Sequence, residues 1–159
     1  MSLLLRRLRS HRGSRGCVAS LEGFRLVVPI RARFRDTDGM GHVNNAVYFT
    51  YFEEARSAYF RQVTGLKSYR DVAIILARAS CDFRAPLRPG EELDVGVRVE
   101  RIGTKSFEMT YRACERSTGR LVAEAASVQV WYDYSANRSM DVPDEFRRKA
   151  SDFEGRPLS

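Results

Sequence analysis

Arg35-Asp36-Thr37-Asp38-Gly39-Met40-Gly41-His42-Val43-Asn44-Asn45-Ala46-Val47-Tyr48 is the stretch where the chain changes its period, and the fold follows from that change. It holds two aspartates, one of the two histidines, two glycines and an Asn pair. Short polar side chains and flexible backbone leading into a helix N-terminus can hold a carboxylate beside exposed N–H donors. Upstream, Phe24, Leu26, Val28, Ile30, Ala32 and Phe34 alternate with polar or small neighbours. Period two predicts a strand with one buried face, and Pro29 inside it predicts an edge position or a bulge.

Downstream the period becomes helical. Tyr48, Phe52, Ala55, Tyr59 and Val63 step by three or four along one helix face, with Glu54 and Arg61 opposite. Phe49, Tyr51 and Phe60 widen the stripe, so other structure should wrap this helix over more than one face. Gly65 is placed to end it. Strand-like runs follow at Val72 through Phe83, Leu93 to Val99, Phe107 to Tyr111 and Leu121 to Tyr132. Arg88-Pro89-Gly90, Ile102-Gly103-Thr104 and Ser117-Thr118-Gly119 separate them as turns. The later strands read as an antiparallel meander. Pro143 to Phe153 reads as a short C-terminal helix. The expectation is an α+β domain over residues 23–135, one long helix against a curved antiparallel sheet of about five strands, with a basic arm at 1–22 and a C-terminal extension at 136–159.

The 159 residues suit one domain, with 43% hydrophobic and 30% charged residues. No apolar run reaches the roughly 18–20 residues that span a bilayer, which argues against membrane insertion. Five arginines of the first twenty residues (Arg6, Arg7, Arg9, Arg12 and Arg15), with no acid among them, supply most of the net charge of +7. The basic balance is therefore a property of the arm, and it argues against nucleic acid as a partner of the body. An acid-poor, Arg- and Ser-rich start fits a transit peptide, a disordered arm or residues from an upstream start codon. The expected compartment is cytoplasmic, or mitochondrial if residues 1–20 act as a transit peptide. Cys17, Cys81 and Cys114 are far apart with no CxxC spacing, so no disulfide framework or zinc site is expected. A calcium loop opening at Asp36 would need an acid at its twelfth position, which is Val47.

The residues Asp36-Thr37-Asp38-Gly39-Met40-Gly41-His42-Val43-Asn44-Asn45, then Tyr48 and Glu53-Glu54-Ala55-Arg56, resemble the hotdog-fold acyl-CoA thioesterases related to 4-hydroxybenzoyl-CoA thioesterase. The resemblance covers roughly Arg25 to Tyr134. It implies the hotdog fold, hydrolysis of acyl-CoA to free acid and CoA with no cofactor, and a homodimer or homotetramer with its active site between subunits. It makes Asp38 the catalytic carboxylate. The backbone N–H at the start of the central helix, at Asn45, becomes the donor to the thioester carbonyl. Some bacterial relatives carry Tyr-His where this chain has Asn44-Asn45, so their histidine has no counterpart here and His42 is not its equivalent.

On the residues alone each role has a plainer rival. Asp38 suits a general base or a nucleophile, and also a turn or helix cap. Asp36 suits a turn. His42 can polarise substrate or hold the loop, and Asn45 can cap the helix. Glu53 and Arg56, three apart, suit an ion pair on the helix. Arg84, Arg88, Lys105 and Ser106 are the candidates for coenzyme A, the turn at Gly103–Ser106 resembling a region that contacts the nucleotide in this family. Tyr48 belongs to an aromatic face that is mostly core and that can also line an acyl tunnel. The alternatives to an acyl-CoA hydrolase are an acyl-carrier-protein thioesterase, a hydratase or dehydratase on the same fold, and a non-catalytic acyl-thioester-binding protein.

Overall fold

The apolar stripe of the central helix organises the molecule. In a computed structural model that describes residues 21–66 and 73–159, helix α1 spans Asn45–Thr64. It buries Tyr48, Tyr51, Phe52, Ala55, Tyr59, Phe60 and Val63 against a sheet. Phe49 is the exception and stays partly exposed. Gly65 ends the helix in the left-handed region (φ 73°), its N–H donating to the Arg61 carbonyl.

The sheet is built from β1 (Leu26–Arg31), β2 (Ile74–Phe83), β3 (Glu92–Ile102), β4 (Ser106–Glu115) and β5 (Leu121–Asp133), with the two-residue β6 (Arg138–Ser139) added to β5. All pairings are antiparallel. Val95, Val97 and Val99 of β3 and Phe107, Met109 and Tyr111 of β4 face inward, as their alternation requires. The hotdog architecture expected from the sequence is therefore present, and β1, which carries Pro29, lies at an edge.

Three sequence expectations change. The period-two strand does not continue to Phe34. It stops at Arg31, and a 3-10 turn at Phe34–Asp36 leaves Phe34 85% exposed. The strands after the helix do not form one meander, because the order is β1-β3-β4-β5-β2. Tight turns keep β3, β4 and β5 adjacent, while residues 84–91 cross from the β5 side back to β3. That crossing spans three strand spacings, roughly 14 Å, well within reach of eight residues. Finally, the strand expected from Val72 begins at Ile74. Val72 itself, Cys17 and the basic arm to residue 20 lie outside the described residues.

Helix α2 (Asp144–Glu154) returns the C-terminus to the core. Phe146 stacks on Phe60 at 5.6 Å between ring centres and meets Phe107 at 5.1 Å and Trp131 at 5.2 Å. Glu154 accepts the Tyr59 hydroxyl at 2.7 Å and the Val99 N–H at 3.1 Å, beside the bulge between Val99 and Arg101. Val142, Ala150 and Leu158 are buried in the same core. Among the described residues no helix is long and apolar enough to cross a membrane.

Candidate active site

The loop from Asp36 to Asn45 is closed by its own backbone. The Asp38 N–H donates to the His42 carbonyl at 2.9 Å, and the Gly41 N–H donates to the Asp38 carbonyl at 3.1 Å. Thr37 and Val43 form an isolated antiparallel bridge. Gly41 sits at φ 75°, where a side chain would be strained. No atom lies within 4 Å of where a β-carbon of Gly39 or Gly41 would be, so within this chain the turn explains Gly41.

The two aspartates are held differently. Asp36 Oδ2 accepts the Tyr51 hydroxyl at 2.7 Å and the Arg33 N–H at 2.8 Å, and its carbonyl accepts the Asn44 N–H at 2.9 Å. Burial alone would raise this carboxyl, but those two donors and the charges of Arg33 and Arg35 hold it below its ordinary range. Asp36 thus ties the loop to α1. Asp38 is exposed, with Oδ1 accepting the Met40 N–H at 2.9 Å. His42 is partly buried and contributes its carbonyl to the loop.

The start of α1 has a simple donor accounting. Asn44, rather than Asn45, is the cap. Its Oδ1 accepts the Ala46 N–H at 2.8 Å and its carbonyl accepts the Val47 N–H at 2.9 Å. The Asn44 N–H is used by Asp36. Of the first four N–H groups, which a helix leaves without internal partners, only that of Asn45 has no acceptor among the described residues. It points along the positive end of a 20-residue helix.

The other expected site residues divide. The Val43 N–H donates to the Leu87 carbonyl at 2.8 Å, which sets the link 84–91 beside the loop and puts exposed Arg88 next to it. Arg84 is engaged with Glu124 at 3.1 Å and Asp82 at 3.4 Å. Lys105 and Ser106 occupy the β3–β4 turn at the other end of the eleven-residue β3, roughly 33 Å away. Tyr48 is 2% exposed and packs edge-on against Phe83, with burial pushing its hydroxyl up to about 12. The fold therefore gathers Asp38, His42, Asn45 and Arg88, and leaves Lys105 and Ser106 remote within one chain.

One feature escaped the sequence reading. A cavity of about 120 Å³ lies between α1 and the β2–β5 edge, lined by Phe49, Phe52, Glu53, Arg56, Tyr111 and Ser127 among others. Arg56 is 6% exposed, whereas Glu53 is exposed at the helix surface. Gln129, behind Ser127, is fully buried with its amide Oε1 unpartnered, a state that costs about 1–3 kcal/mol. The sequence shows Ser127 and Gln129 alternating with Val128 and Val130 but not which set faces inward, and in the fold it is the polar set.

Among the described residues no three His, Cys, Asp or Glu side chains converge on a metal position. The Cys81 thiol is pushed up to about 11 by burial, then by Asp82, which makes it a poor nucleophile near neutral pH.

Known proteins place this architecture. A family model described as thioesterase-like superfamily matches residues 32–150. The uncharacterised protein YsmA of Bacillus subtilis is 29% identical over 116 residues, 73% of this chain and 78% of that protein. A 1,4-dihydroxy-2-naphthoyl-CoA hydrolase of Nostoc punctiforme is 30% identical over 117 residues, 71% of this chain and 78% of that protein. The crystal structure of a Thermus thermophilus thioesterase complexed with coenzyme A and zinc superposes with a TM-score of 0.78 at 35% identity, covering 86% of this chain and 99% of that one. The chain belongs to the thioesterase-like superfamily, as a thioester hydrolase of hotdog fold.

Proposed function

We propose that this chain hydrolyses acyl-CoA thioesters to the free acid and CoA, with Asp38 as general base or nucleophile and the Asn45 N–H as oxyanion donor. The observation that carries the reading is the single idle N–H at the start of α1, in the same closed loop as an exposed carboxylate. A thioester oxygen resting on that donor brings its carbonyl carbon to the Asp38 loop, and negative charge developing there is stabilised by a fixed dipole.

As a base, Asp38 takes a proton from water while the oxygen adds to the carbonyl carbon. Collapse of the tetrahedral intermediate breaks the C–S bond, and the proton passes to the departing thiolate. As a nucleophile, the carboxylate displaces the thiolate to give a mixed anhydride that water then opens. The likeness to a 1,4-dihydroxy-2-naphthoyl-CoA hydrolase supports a CoA ester as substrate. The test is thiol release across short, long and aromatic acyl-CoAs. Asp38→Asn, which keeps the acceptor for Met40, should lower kcat by roughly 100- to 10,000-fold. Turnover surviving in that variant would remove Asp38 from the chemistry.

The functional unit in this reading is a homodimer paired through β2. That strand is a ten-residue sheet edge carrying exposed Ile75, Leu76 and Phe83, a template for pairing with another strand. The Phe83 end of β2 lies at the Asp38 end of the molecule, and the Ile74 end lies with the Lys105–Ser106 turn. Antiparallel pairing of two copies therefore carries the Lys105–Ser106 turn of one toward the Asp38 loop of the other, where CoA phosphates need a cation. Sedimentation should give a dimer that Leu76→Glu converts to a less active monomer; a fully active monomeric wild type would contradict it.

One observation favours a second source of thioester. Phe34 and Met40, 85% and 82% exposed, stand on the loop rim beside Arg33 and Arg35, a surface suited to an acidic carrier protein. Comparing kcat/KM for one acyl group on CoA and on a carrier protein separates the two.

A further inference from the structure

The outward face of β5 carries residues unsuited to water. The register fixes which side chains share that face: Ala126 lies between Ser80 and Thr110, Val128 between Arg78 and Glu108, and Val130 between Ile75 and Ser106. Tyr132 continues the same column. The inward face of this strand holds Ser127 and Gln129, both buried. An antiparallel strand with one solvated face shows the reverse, apolar inside and polar outside. A slip of one residue would bury the valines and expose Ser127 and Gln129, and the pairing does not take it. Both faces of β5 are thus built to be covered.

The chain covers part of this outer face itself. Leu21 and Cys114 are buried together on it. A β-carbon at Gly96 would come within 2.7 Å of the Phe24 ring, so the glycine makes room for that ring. The Arg98 guanidinium stands over the ring at 5.1 Å. Beyond Phe24 the cover stops. Two clefts of about 400 Å³ and about 210 Å³ share a floor of Ser80, Thr110 and Ala126. Next to that trough stands a ridge of Ile75, Val130 and Tyr132, with Ile75 42% exposed.

Charge and shape say what covers the rest. The margins hold both signs, already paired: Arg98 with Glu100 at 2.8 Å, Arg101 with Glu108 at 2.7 Å and Arg112 with Glu124 at 3.1 Å. Such a face has no net field to select an acidic or a basic partner. A copy turned about a two-fold axis lying across the strands sets the ridge of one face into the trough of the other. That is the self-complementary contact of an isologous pair, with the sheets about 10 Å apart. Four strands of ten to thirteen residues give the face an outline of roughly 600 Å². A pair joined through β2 doubles it to roughly 1,200 Å², against about 800 Å² on each side of a standard interface.

We propose that the uncovered outer face of the sheet is an interface for a second copy of this chain, with Val128, Val130 and Tyr132 at its centre, and that it packs two β2-paired dimers face to face. The number of copies rests on the β2 pairing proposed above; the use of the face does not.

The test is sedimentation velocity at rising protein concentration, where the wild-type dimer should give way to a tetramer by mass action. Val128→Lys places a cation beside Glu108, and Ala126→Arg blocks the floor of the trough. Both side chains point to solvent in a single copy, so each variant should fold and stay a dimer at every concentration. Leu76→Glu tells the two contacts apart: it should pass from monomer to dimer and no further, and a tetramer from it would contradict the β2 pairing alone. A wild type that stays dimeric at every concentration overturns the proposal, and so does a tetramer formed by both face variants. A tetramer lost on removing residues 1–20 but kept in both face variants assigns the association to the basic arm and overturns it as well.

Discussion

The Tyr51 hydroxyl donates to Asp36 Oδ2 at 2.7 Å, joining the second turn of α1 to the loop that carries Asp38. Asp36 in turn accepts the N–H of Asn44, the helix cap. Asp36 therefore ties the loop to the helix start through both its carboxylate and its carbonyl. Tyr51→Phe should lower stability by about 1.5–3 kcal/mol, the range for a hydrogen bond to a charged group. Because the Asp36 carboxyl is held low, the stabilisation is present above its unfolded value near 3.9 and is lost as pH falls through the folded value. Melting curves at pH 7 should separate the variant from wild type, with kcat falling as well. An unchanged Tm and kcat would show that the loop is held by other means.

Glu115, in the β4–β5 turn, supplies a second pH-dependent element. Burial would raise its carboxyl, but four donors from Ser117 and Thr118 bring it down to about 2. The sign is that of a depressed carboxylate: stability present above about pH 4.5 and lost on acidification toward 2. Glu115→Gln should cost on the order of 2–3 kcal/mol at pH 7, with the gap to wild type narrowing below pH 4. A gap that does not depend on pH would assign the effect to packing.

Much of this fold is legible in the chain. The helix stripe at Tyr48, Phe52, Ala55, Tyr59 and Val63 is buried, and the turns fall where Pro and Gly place them. The misreadings share a cause. Alternation reports which way a side chain points, not where the chain turns, so Phe34 continued a period that the backbone had left at Arg31. Strand order depends on how far residues 84–91 reach, which no local pattern encodes. At the site, the Asp-rich loop announced itself. The division of labour between Asn44 and Asn45 came only from following each N–H to its acceptor. The strand at Leu121 to Tyr132 is legible, but that Ser127 and Gln129 take its inward face is not.

The C-terminal segment beyond residue 135 offers a test of where the folding unit ends. Phe146, Ala150 and Leu158 are buried, and Phe146 sits among Phe60, Phe107 and Trp131. Removing it uncovers large apolar surface, and losing an aromatic from a core costs about 3–5 kcal/mol. A chain ending at residue 135 should lose cooperative thermal unfolding and aggregate. A cooperative transition with a Tm near that of the full chain would show that α2 is dispensable.

The central claim is that the Asn45 backbone N–H, and not its side chain, stabilises the oxyanion. Proline is well tolerated at the first position of a helix, and the extended conformation of Asn44 (φ −61°, ψ 137°) suits a residue preceding proline. Asn45→Pro therefore deletes the donor and keeps the helix, while Asn45→Ala deletes the side chain and keeps the donor. The decisive measurement is kcat for the two variants on the best acyl-CoA, with melting curves confirming that both fold. The account predicts near wild-type kcat for Asn45→Ala and a loss of roughly 100- to 1,000-fold for Asn45→Pro. A folded Asn45→Pro enzyme that turns over at the wild-type rate would contradict it.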